Sequence, residues 1–349
     1  MALTEKDLRI ENSEIVEQLK SELKDKERII KEYRKEHGKL QIFFDRVGKG
    51  IKPIMPLEPV YKKQTERGAP ITAVAQISDS HMGAVQDKSE IEGFGEYSAD
   101  IADRRNIHYV NSFINWVDVH RMGYNIPECV VLITGDLISG DIHDELRITN
   151  EFPVPVQIVR AAQIHASQLS LIAPQFSKVT VHFITEDNHS RLTRKPQAKE
   201  AGKNNYNYVI AELMKAYISE HTNIEFNVYP MLEKVVTVST KNYLITHGHA
   251  VRGWMGVPWY GVERKVGKEA QARMQLIMDD LERAKAIGFD KFVFGHFHTP
   301  FDSELYSCAG SVSGTDAYDH QAGRYAKPSQ PAWLVHPEKG EFNRINFKL

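Results

Sequence analysis

Histidine and aspartate pairs that follow apolar runs are the residues of this sequence with the clearest chemical potential. His296 and His298 stand two apart, directly after the run Phe292–Phe294. Asp79 and His81 have the same spacing after an earlier apolar run. On an ideal strand, residues two apart share one face, so each pair is predicted to aim both side chains at one place. Such a mixture of oxygen and nitrogen ligands, without a thiolate, is typical of Mn²⁺, Fe²⁺ or Zn²⁺.

The same arrangement recurs along the chain. The apolar, strand-like runs are 71–78, 129–135, 178–185, 243–247 and 291–295. They are followed or closed by potential ligands, namely Asp79, His81, Asp136, Asn188, His189, His247, His249, His296 and His298. Taken singly, each motif is weak, because a histidine in a turn often only makes a hydrogen bond. Since ligands of open α/β sheets gather beyond the carboxyl ends of strands, the ordered set predicts one shared metal site.

Helical patterns alternate with these runs, which predicts an α/β sandwich with largely buried strands. The helical patterns lie near 101–120, 154–174, 205–219 and 266–287. With 42% hydrophobic and 26% charged residues, the composition is that of an ordinary soluble globular protein. One catalytic domain, residues 71–349, plus an appendage fits the length better than two equal domains.

Residues 1–45 differ from the rest of the chain. They are rich in Glu and Lys and carry an apolar stripe at three- and four-residue spacing, formed by Val16, Leu19, Leu23, Ile30, Tyr33, Leu40 and Phe44. The stripe predicts an amphipathic N-terminal helix. Two interpretations stay open: a helix lying on the main domain, or a short coiled coil that makes a homodimer or binds a partner protein. Residues 46–70 are predicted to be a linker or an extended crossing segment.

Composition also argues against several classes of protein. No apolar run approaches the roughly 20 residues that span a bilayer, so no membrane partner is expected. The N-terminal stretch lacks the apolar region of a secretory signal. Cys129 and Cys308 form no C-x-x-C pair, which favours a reducing cytoplasm over a disulfide framework. The net charge of −2 argues against a strongly basic nucleic-acid-binding protein but allows a local basic path to a site.

The ordered motifs resemble those of the calcineurin-like metallophosphoesterase superfamily. The family signature runs D-x-H, G-D, G-N-H, an H-x-H-like turn and G-H-x-H, and the match extends from Asp79 to His298. The resemblance implies a four-layer sandwich of two mixed β-sheets flanked by helices. It also implies two divalent metal ions, with Mn²⁺ favoured over Fe²⁺ and Zn²⁺.

The resemblance assigns a role to each ligand. One ion would take Asp79, His81, Asp136 and His298, and the second would take Asp136, Asn188, His247 and His296. Two ions roughly 3.5–4 Å apart, bridged by Asp136, would lower the pKa of a shared water, and the resulting hydroxide would attack phosphorus. His189 would contact the scissile phosphate and protonate the leaving oxygen.

Two departures from the family pattern bear on activity. The usual glycine of G-N-H is Asp187 here. That glycine often permits a left-handed backbone, which Asp tolerates better than most residues, so we expect the turn to survive with activity reduced or tuned. The second motif, GDLISGD, and Ser190 after His189 differ from the protein serine/threonine phosphatases. The sequence is therefore closer to the phosphodiesterase and repair-nuclease branches.

Basic and aromatic residues near the motifs indicate the substrate. Arg191 and Arg194 are placed to meet phosphate oxygens, and His249 is predicted either to do the same or to shape its turn. A glycine-containing loop adds three aromatic residues, Trp254, Trp259 and Tyr260. These are predicted to stack a nucleobase, with a hydrophobic lid or an oligomer contact as alternatives.

Three functions follow, in decreasing order of support. The first is a metal-dependent phosphodiesterase acting on DNA or RNA, which is a nuclease-like hydrolase. The second is a small-molecule nucleotide phosphoesterase. The third is a metal-binding scaffold, catalytically weakened through Asp187, that binds a partner through its N-terminal helix.

Overall fold

The computed structural model describes residues 17, 20, 23–28, 31, 50–61, 68–253, 257–279 and 287–349. The chain divides into two units, Met1–Lys52 and Pro53–Leu349. In the first unit, the described residues up to 31 are helical and exposed, and they include Leu23 of the apolar stripe. The other stripe residues lie outside the described residues. The architecture below is that of the second unit.

Strands and helices alternate through the second unit. Its strands are β1 (Thr72–Ile77), β2 (Glu128–Ile133), β3 (Lys178–Ile184), β4 (Ile224–Tyr229), β5 (Glu233–Val238), β6 (Lys241–Thr246), β7 (Lys291–Phe294), β8 (Phe301–Asp302), β9 (Tyr306–Cys308), β10 (Ser329–His336) and β11 (Gly340–Lys348). Its helices are α1 (Ala99–Arg121), α2 (Asp144–Thr149), α3 (Val154–Ile172), α4 (Tyr206–Tyr217), α5 (Trp259–Asp279) and α6 (Ala317–Gln321), with short 3₁₀ helices at Lys88–Ile91 and Ala173–Gln175. The strands predicted from the apolar runs correspond to β1, β2, β3, β6 and β7.

The strands form two mixed sheets. The six-stranded sheet has the order β11-β10-β1-β2-β3-β4, in which β1 to β4 are parallel and β10 and β11 are antiparallel. The five-stranded sheet has the order β5-β6-β7-β9-β8, with β6, β7 and β9 parallel. Ile77 pairs with Ile133, and Ile133 pairs with Phe183. The loops after β1, β2 and β3 therefore leave the sheet at the same level.

The two sheets pack face to face around an apolar core. Val74 and Trp333 from the first sheet meet Tyr243 and Val293 from the second. The indole Nε1 of Trp333 donates to Tyr243 Oη at 3.1 Å, so the buried polar atoms are paired. Alternate residues of each strand supply this core because successive side chains point to opposite faces.

Helices cover the outer face of each sheet. On the first sheet, α1 contacts β10 and β11, and α4 contacts β4, with α3 packed against both helices. On the second sheet, Val262 of α5 packs with Leu244 and Phe292. The predicted fold class, α/β with two mixed sheets flanked by helices in four layers, is confirmed.

The described part of the predicted linker from residue 53 on belongs to the second unit. Residues 51–61 have no regular secondary structure. The N–H of Ile54 donates to Tyr217 O at 2.7 Å, and that of Val60 donates to Pro174 O at 2.8 Å. Within the described ranges, no helix has the length and apolar character that a membrane crossing requires.

Candidate metal centre

The predicted ligands lie in the loops that follow β1, β2, β3, β6 and β7. Several have a left-handed backbone, with φ of 51° at Asp79, 43° at His81, 49° at Asp136, 72° at His296 and 57° at His298. Such conformations are costly for residues other than glycine and cluster at functional sites. The prediction that each i, i+2 pair shares one strand face is wrong, because both pairs lie in turns beyond the strands. The turns nevertheless bring Asp79 and His81 into one group of ligand atoms, whereas His296 and His298 belong to two different groups.

A first group of ligand atoms comes from Asp79, His81 and His298, whose donor atoms lie within 4.8 Å of one another. His298 Nε2 is 3.0 Å from His81 Nε2 and 3.6 Å from Asp79 Oδ1. In the neutral ring the Nε2 of His298 carries a lone pair, since its Nδ1–H donates to Asp319 Oδ2 at 2.6 Å. Ring nitrogens and a carboxylate that face each other in this way are ligands that a divalent cation such as Mn²⁺ or Zn²⁺ accepts.

A second group comes from Asp136, His247 and His296, again within 4.8 Å. His247 Nδ1–H donates to Thr134 O at 2.8 Å, so its Nε2 faces Asp136 Oδ2 at 3.0 Å and Asn188 Oδ1 at 2.9 Å. Burial lowers the pKa of His247, but Asp136 and other nearby carboxylates raise it to about 9 overall. His296 Nδ1 is buried without a hydrogen-bond partner among the described residues. The donor set therefore fits a second divalent ion.

Asp136 lies between the two groups. Its Oδ2 is 3.0 Å from His247 Nε2 and 3.9 Å from His81 Nε2. Burial raises the pKa of this carboxyl, but the His247 and His189 imidazoles hold it well below its usual range. Asp136 is therefore ionised at neutral pH and has the position that a bridging ligand requires. Gly135 before it has φ of 97°, and a Cβ there would lie 3.0 Å from His247 Nδ1.

His189 lies beside the first group. Its donor atom is within 4.8 Å of those of His81 and Asp136, and its ring meets that of His81 edge to face at 4.7 Å. Its backbone N–H donates to Asp136 Oδ1 at 3.2 Å, and its Nδ1–H donates to Ser139 O at 2.7 Å. These contacts fix the ring and leave Nε2 for contact with a substrate.

Asp187 does not adopt the left-handed backbone that the family glycine suggested, and that expectation is wrong. It is absent from the described residues with positive φ, and its side chain is buried. Its carboxylate accepts hydrogen bonds from neighbouring loops and not from solvent. Burial and then the charge of Asp136 raise the pKa of Asp187 to about 6. The turn still places Asn188 Oδ1 2.9 Å from His247 Nε2, but it is held by hydrogen bonds to the Asp187 side chain and not by a left-handed backbone.

Asp319 accepts the hydrogen bond from His298 Nδ1–H, and no sequence motif indicates this residue. Asp319 is buried in α6, and Arg324 Nε donates to its Oδ1 at 2.7 Å. Such a carboxylate orients a ligand histidine and raises its basicity. Burial lowers the pKa of His298, but Asp319 and Asp79 raise it to about 10. An isolated D-x-x-D after the last motif carries no sequence signal for this role.

The predicted phosphate-contacting residues have different surroundings. Arg191 and His249 line an open cavity of about 360 Å³ together with Asp187 and Glu186. Arg191 Nε and His249 Nδ1 are buried without partners among the described residues. Arg194 does not line this cavity. It is exposed and pairs with Asp144 in α2.

Two of the three predicted aromatic residues line a second cavity. Trp254 is outside the described residues. Trp259 and Tyr260, at the start of α5, line an open cavity of about 640 Å³ with Arg252. The ring of Trp259 also packs against that of Phe301, with 4.6 Å between the ring centroids, so part of the Trp259 ring contributes to packing within the fold.

A further set of aromatic rings, which the sequence did not reveal, lies next to α6. The rings of Phe94 and Tyr325 are 5.0 Å apart, and His320 is 5.9 Å from Phe94 and 5.7 Å from Tyr325. Phe94 is 56% exposed and Tyr325 52%, so their faces are open to a ligand. His320 directly follows Asp319, the carboxylate that holds His298.

The two mixed sheets and the ligands at their strand ends are the arrangement that the resemblance to calcineurin-like metallophosphoesterases implied. No protein-family model matches the chain, and no curated protein matches its sequence.

Similar solved structures include Vps29 from Entamoeba histolytica complexed with Zn²⁺ (13% identity over 79% of this chain and 99% of that chain, TM-score 0.30). Others are a putative 5′-nucleotidase from Staphylococcus aureus (8% identity, 80% and 54% covered, TM-score 0.31) and the calcineurin-like phosphoesterase YfkN from Bacillus subtilis (10% identity, 80% and 91% covered, TM-score 0.31). At these identities and TM-scores, nothing about activity transfers to this chain.

Proposed function

We propose that this protein is a divalent-metal-dependent phosphodiesterase that acts on nucleic acid. The main support is the position of Asp136, whose Oδ2 lies 3.0 Å from His247 Nε2 and 3.9 Å from His81 Nε2, between two groups of ligand atoms. A carboxylate there suits a pair of neighbouring cations. When bound, such cations activate water and neutralise charge on the phosphoryl oxygens.

The proposed ligand sets are those implied by the resemblance. Asp79, His81, Asp136 and His298 would hold one ion, and Asp136, Asn188, His247 and His296 the other. Mn²⁺ is our first choice, with Fe²⁺ and Zn²⁺ as alternatives, because the donors mix carboxylate, amide and imidazole. His189 would donate the proton to the leaving oxygen from Nε2, since its Nδ1–H is held by Ser139 O.

Nucleic acid is the proposed substrate because exposed aromatic and basic side chains lie near the ligand loops. Trp259 and Tyr260 lie with Arg252 on one side, and Phe94 and Tyr325 lie next to α6 on another. A base stacked on an aromatic side chain contributes about 1–3 kcal/mol. The cavity lined by Trp259 and Tyr260 is open, which suits an extended strand better than a small molecule that a pocket encloses on most sides.

The experiment is a substrate panel for the full chain with added Mn²⁺, Zn²⁺ or Mg²⁺. We expect hydrolysis of bis-p-nitrophenyl phosphate and of at least one of single-stranded DNA, duplex DNA and RNA. EDTA and Asp136→Asn should abolish the activity, whereas Asp118→Asn, at an exposed carboxylate of α1, should not. Activity on mononucleotides alone would support a small-molecule phosphoesterase instead. Two bound ions without turnover would support a scaffold.

We also propose that residues 1–45 form a helix that makes a homodimer or binds a partner protein. The helical, exposed residues 23–28 support this. A reducing, cytoplasmic location is proposed as well, and it is supported by Cys129 and Cys308, which are both free and buried.

A further inference from the structure

The buried carboxylate of Asp187 is the most densely hydrogen-bonded side chain of the ligand loops. It is 2% exposed. Its Oδ1 accepts from Ser190 N–H at 2.8 Å and Asn205 Nδ2 at 3.2 Å. Its Oδ2 accepts from Asp136 N–H at 2.6 Å, Ser190 Oγ at 3.0 Å and Asn207 Nδ2. The donors come from three separate parts of the chain.

Each of these parts carries or supports a proposed ligand. The first is the loop after β2, through the N–H of Asp136 itself. The second is the turn after β3, which holds Asn188 and His189 between Asp187 and Ser190. The third is the start of α4, where Asn205 is the N-cap and accepts from Asn207 N–H at 3.0 Å. Asp187 therefore connects the proposed bridging ligand to the turn with the amide ligand and the proposed acid.

Only a carboxylate meets the demands of this position. All its partners are donors, and an ionised carboxylate accepts at both oxygens. An amide would turn its NH₂ towards one of these donors. Glycine, the usual residue of the resembling motif, would leave the buried N–H groups of Asp136 and Ser190 without their acceptor, which is costly. The substitution thus adds contacts that the usual motif cannot make.

We propose that Asp187 is a positioning residue for the second ion. It holds Asn188 and His189 against Asp136 before the ion binds, so the ligands need no rearrangement. Its charge, close to Asp136 and His247, also favours a cation. Asp187 then supports the site and does not weaken it. The consequence for turnover rests on the proposed phosphodiesterase function, whereas the consequence for metal binding does not.

The experiment measures Mn²⁺ binding to the full-length wild type, Asp187→Asn and Asp187→Gly by titration calorimetry. We expect the affinity for the second ion to fall about 10- to 100-fold, the size typical for residues that orient metal ligands, and the affinity for the first ion, which shares Asp136, to fall less. On bis-p-nitrophenyl phosphate, kcat should fall while KM changes little. A purely structural role would lower the melting temperature without this selective loss.

Two further variants keep the test decisive. Ser190→Ala removes one donor to the Asp187 carboxylate and should lower the affinity for the same ion by a smaller factor. It decides the question if both Asp187 variants fail to fold. Gln168→Ala breaks a buried hydrogen-bonding side chain of α3, and it should lower the melting temperature with both affinities unchanged.

The proposal is overturned if folded Asp187→Gly binds both ions like the wild type or is more active. With both Asp187 variants unfolded, unchanged affinities in Ser190→Ala overturn it as well. A wild type that binds two ions but cleaves no diester refutes the proposed function alone, because the Asp187 test is read from binding.

Discussion

Individual histidines of the site are oriented by an acceptor on the ring nitrogen that faces away from the proposed ion. Thr134 O accepts from His247 Nδ1–H, and Asp319 accepts from His298 Nδ1–H. Each contact fixes the tautomer and leaves Nε2 as the ligand atom. The histidines were predictable from motif order. Their acceptors were not, because a backbone carbonyl or a distant carboxylate reaches them only through the tertiary fold.

His189 tests the proposed proton transfer. His189→Ala removes the ring but keeps the backbone N–H that donates to Asp136 Oδ1. We therefore expect both ions to remain bound, while kcat falls about 10²- to 10⁴-fold, the usual contribution of a general acid. Metal content and steady-state rates on a diester measure the two effects. His108→Ala, at an exposed position of α1, is the control, and a near-normal rate in His189→Ala would exclude the residue from the mechanism.

Asp319 tests whether the carboxylate that the motifs did not reveal matters to the site. Asp319→Asn replaces the charged acceptor of His298 Nδ1–H, so the imidazole loses basicity and its fixed orientation. We expect the affinity for one ion to fall about 10- to 100-fold. Mn²⁺ titration of the variant measures this. Asp118→Asn serves as a matched carboxylate control, and wild-type affinity for both ions in Asp319→Asn would show that α6 only covers the site.

At the scale of elements, the strands with long apolar runs were predictable and the others were not. Strands β1, β2 and β7 are mostly apolar and mostly buried, as expected for strands covered on both faces. Strand β10 is equally buried but begins Ser329-Gln330-Pro331, so its sequence is not a continuous apolar run. Gln330 Nε2 donates to Ser78 O and Gly310 O, so its polar group is satisfied internally. Strand β8 has two residues, too few for any periodicity.

Helix α3 supplies a test of acid stability that is independent of the site. His165 in α3 is fully buried; its Nδ1–H donates to Gln168 Oε1 at 2.7 Å, and its Nε2 has no partner among the described residues. Burial lowers the pKa of His165 to about 4. Below a pH of about 6.5, His165 therefore binds a proton in the unfolded chain but not in the folded chain. The free energy of unfolding falls as the pH falls towards 4.

The matching variant is His165→Gln. Between pH 7.5 and pH 5 the wild type should lose about 2 kcal/mol of unfolding free energy through this residue, and the variant should lack that loss. Urea unfolding at both pH values measures the difference, so any uniform destabilisation by the substitution cancels. His108→Gln, at an exposed position of α1, is the control for the substitution itself. An equal pH dependence in wild type and His165→Gln would show that His165 is protonated in the folded protein.

At the scale of the second unit, the site exists because two sheets end at the same place. Asp79, Asp136 and Asn188 come from the first sheet, whereas His247, His296 and His298 come from the second. Hydrogen bonds cross between the sheets at this point: His296 N–H donates to Asp79 Oδ1 at 2.9 Å, and Gln76 Nε2 donates to Phe294 O at 3.1 Å. The motif order predicted that these residues lie together, but the pairing of sheets that assembles the proposed ligand set depends on contacts far apart in sequence.

The division of the chain at Lys52 and Pro53 leads to a last prediction about the whole molecule. All residues of the proposed site belong to the second unit, and Ile54, just after the boundary, already contacts Tyr217 O. We therefore expect a chain without residues 1–52 to fold and to hydrolyse bis-p-nitrophenyl phosphate within about threefold of the wild-type rate, since no ligand or supporting contact described above is removed.

Analytical ultracentrifugation of both forms then tests the role of the N-terminal segment. If residues 1–45 form a homodimeric coiled coil, the full chain is a dimer and the truncated chain a monomer, because the truncation removes the heptad-like stripe. The same oligomeric state in both forms would exclude the homodimer and leave a coiled coil that binds a partner protein or a helix that lies on the main domain. A truncated chain that is insoluble or lacks cooperative unfolding would contradict the independence of the second unit, since its core would then need residues from the first.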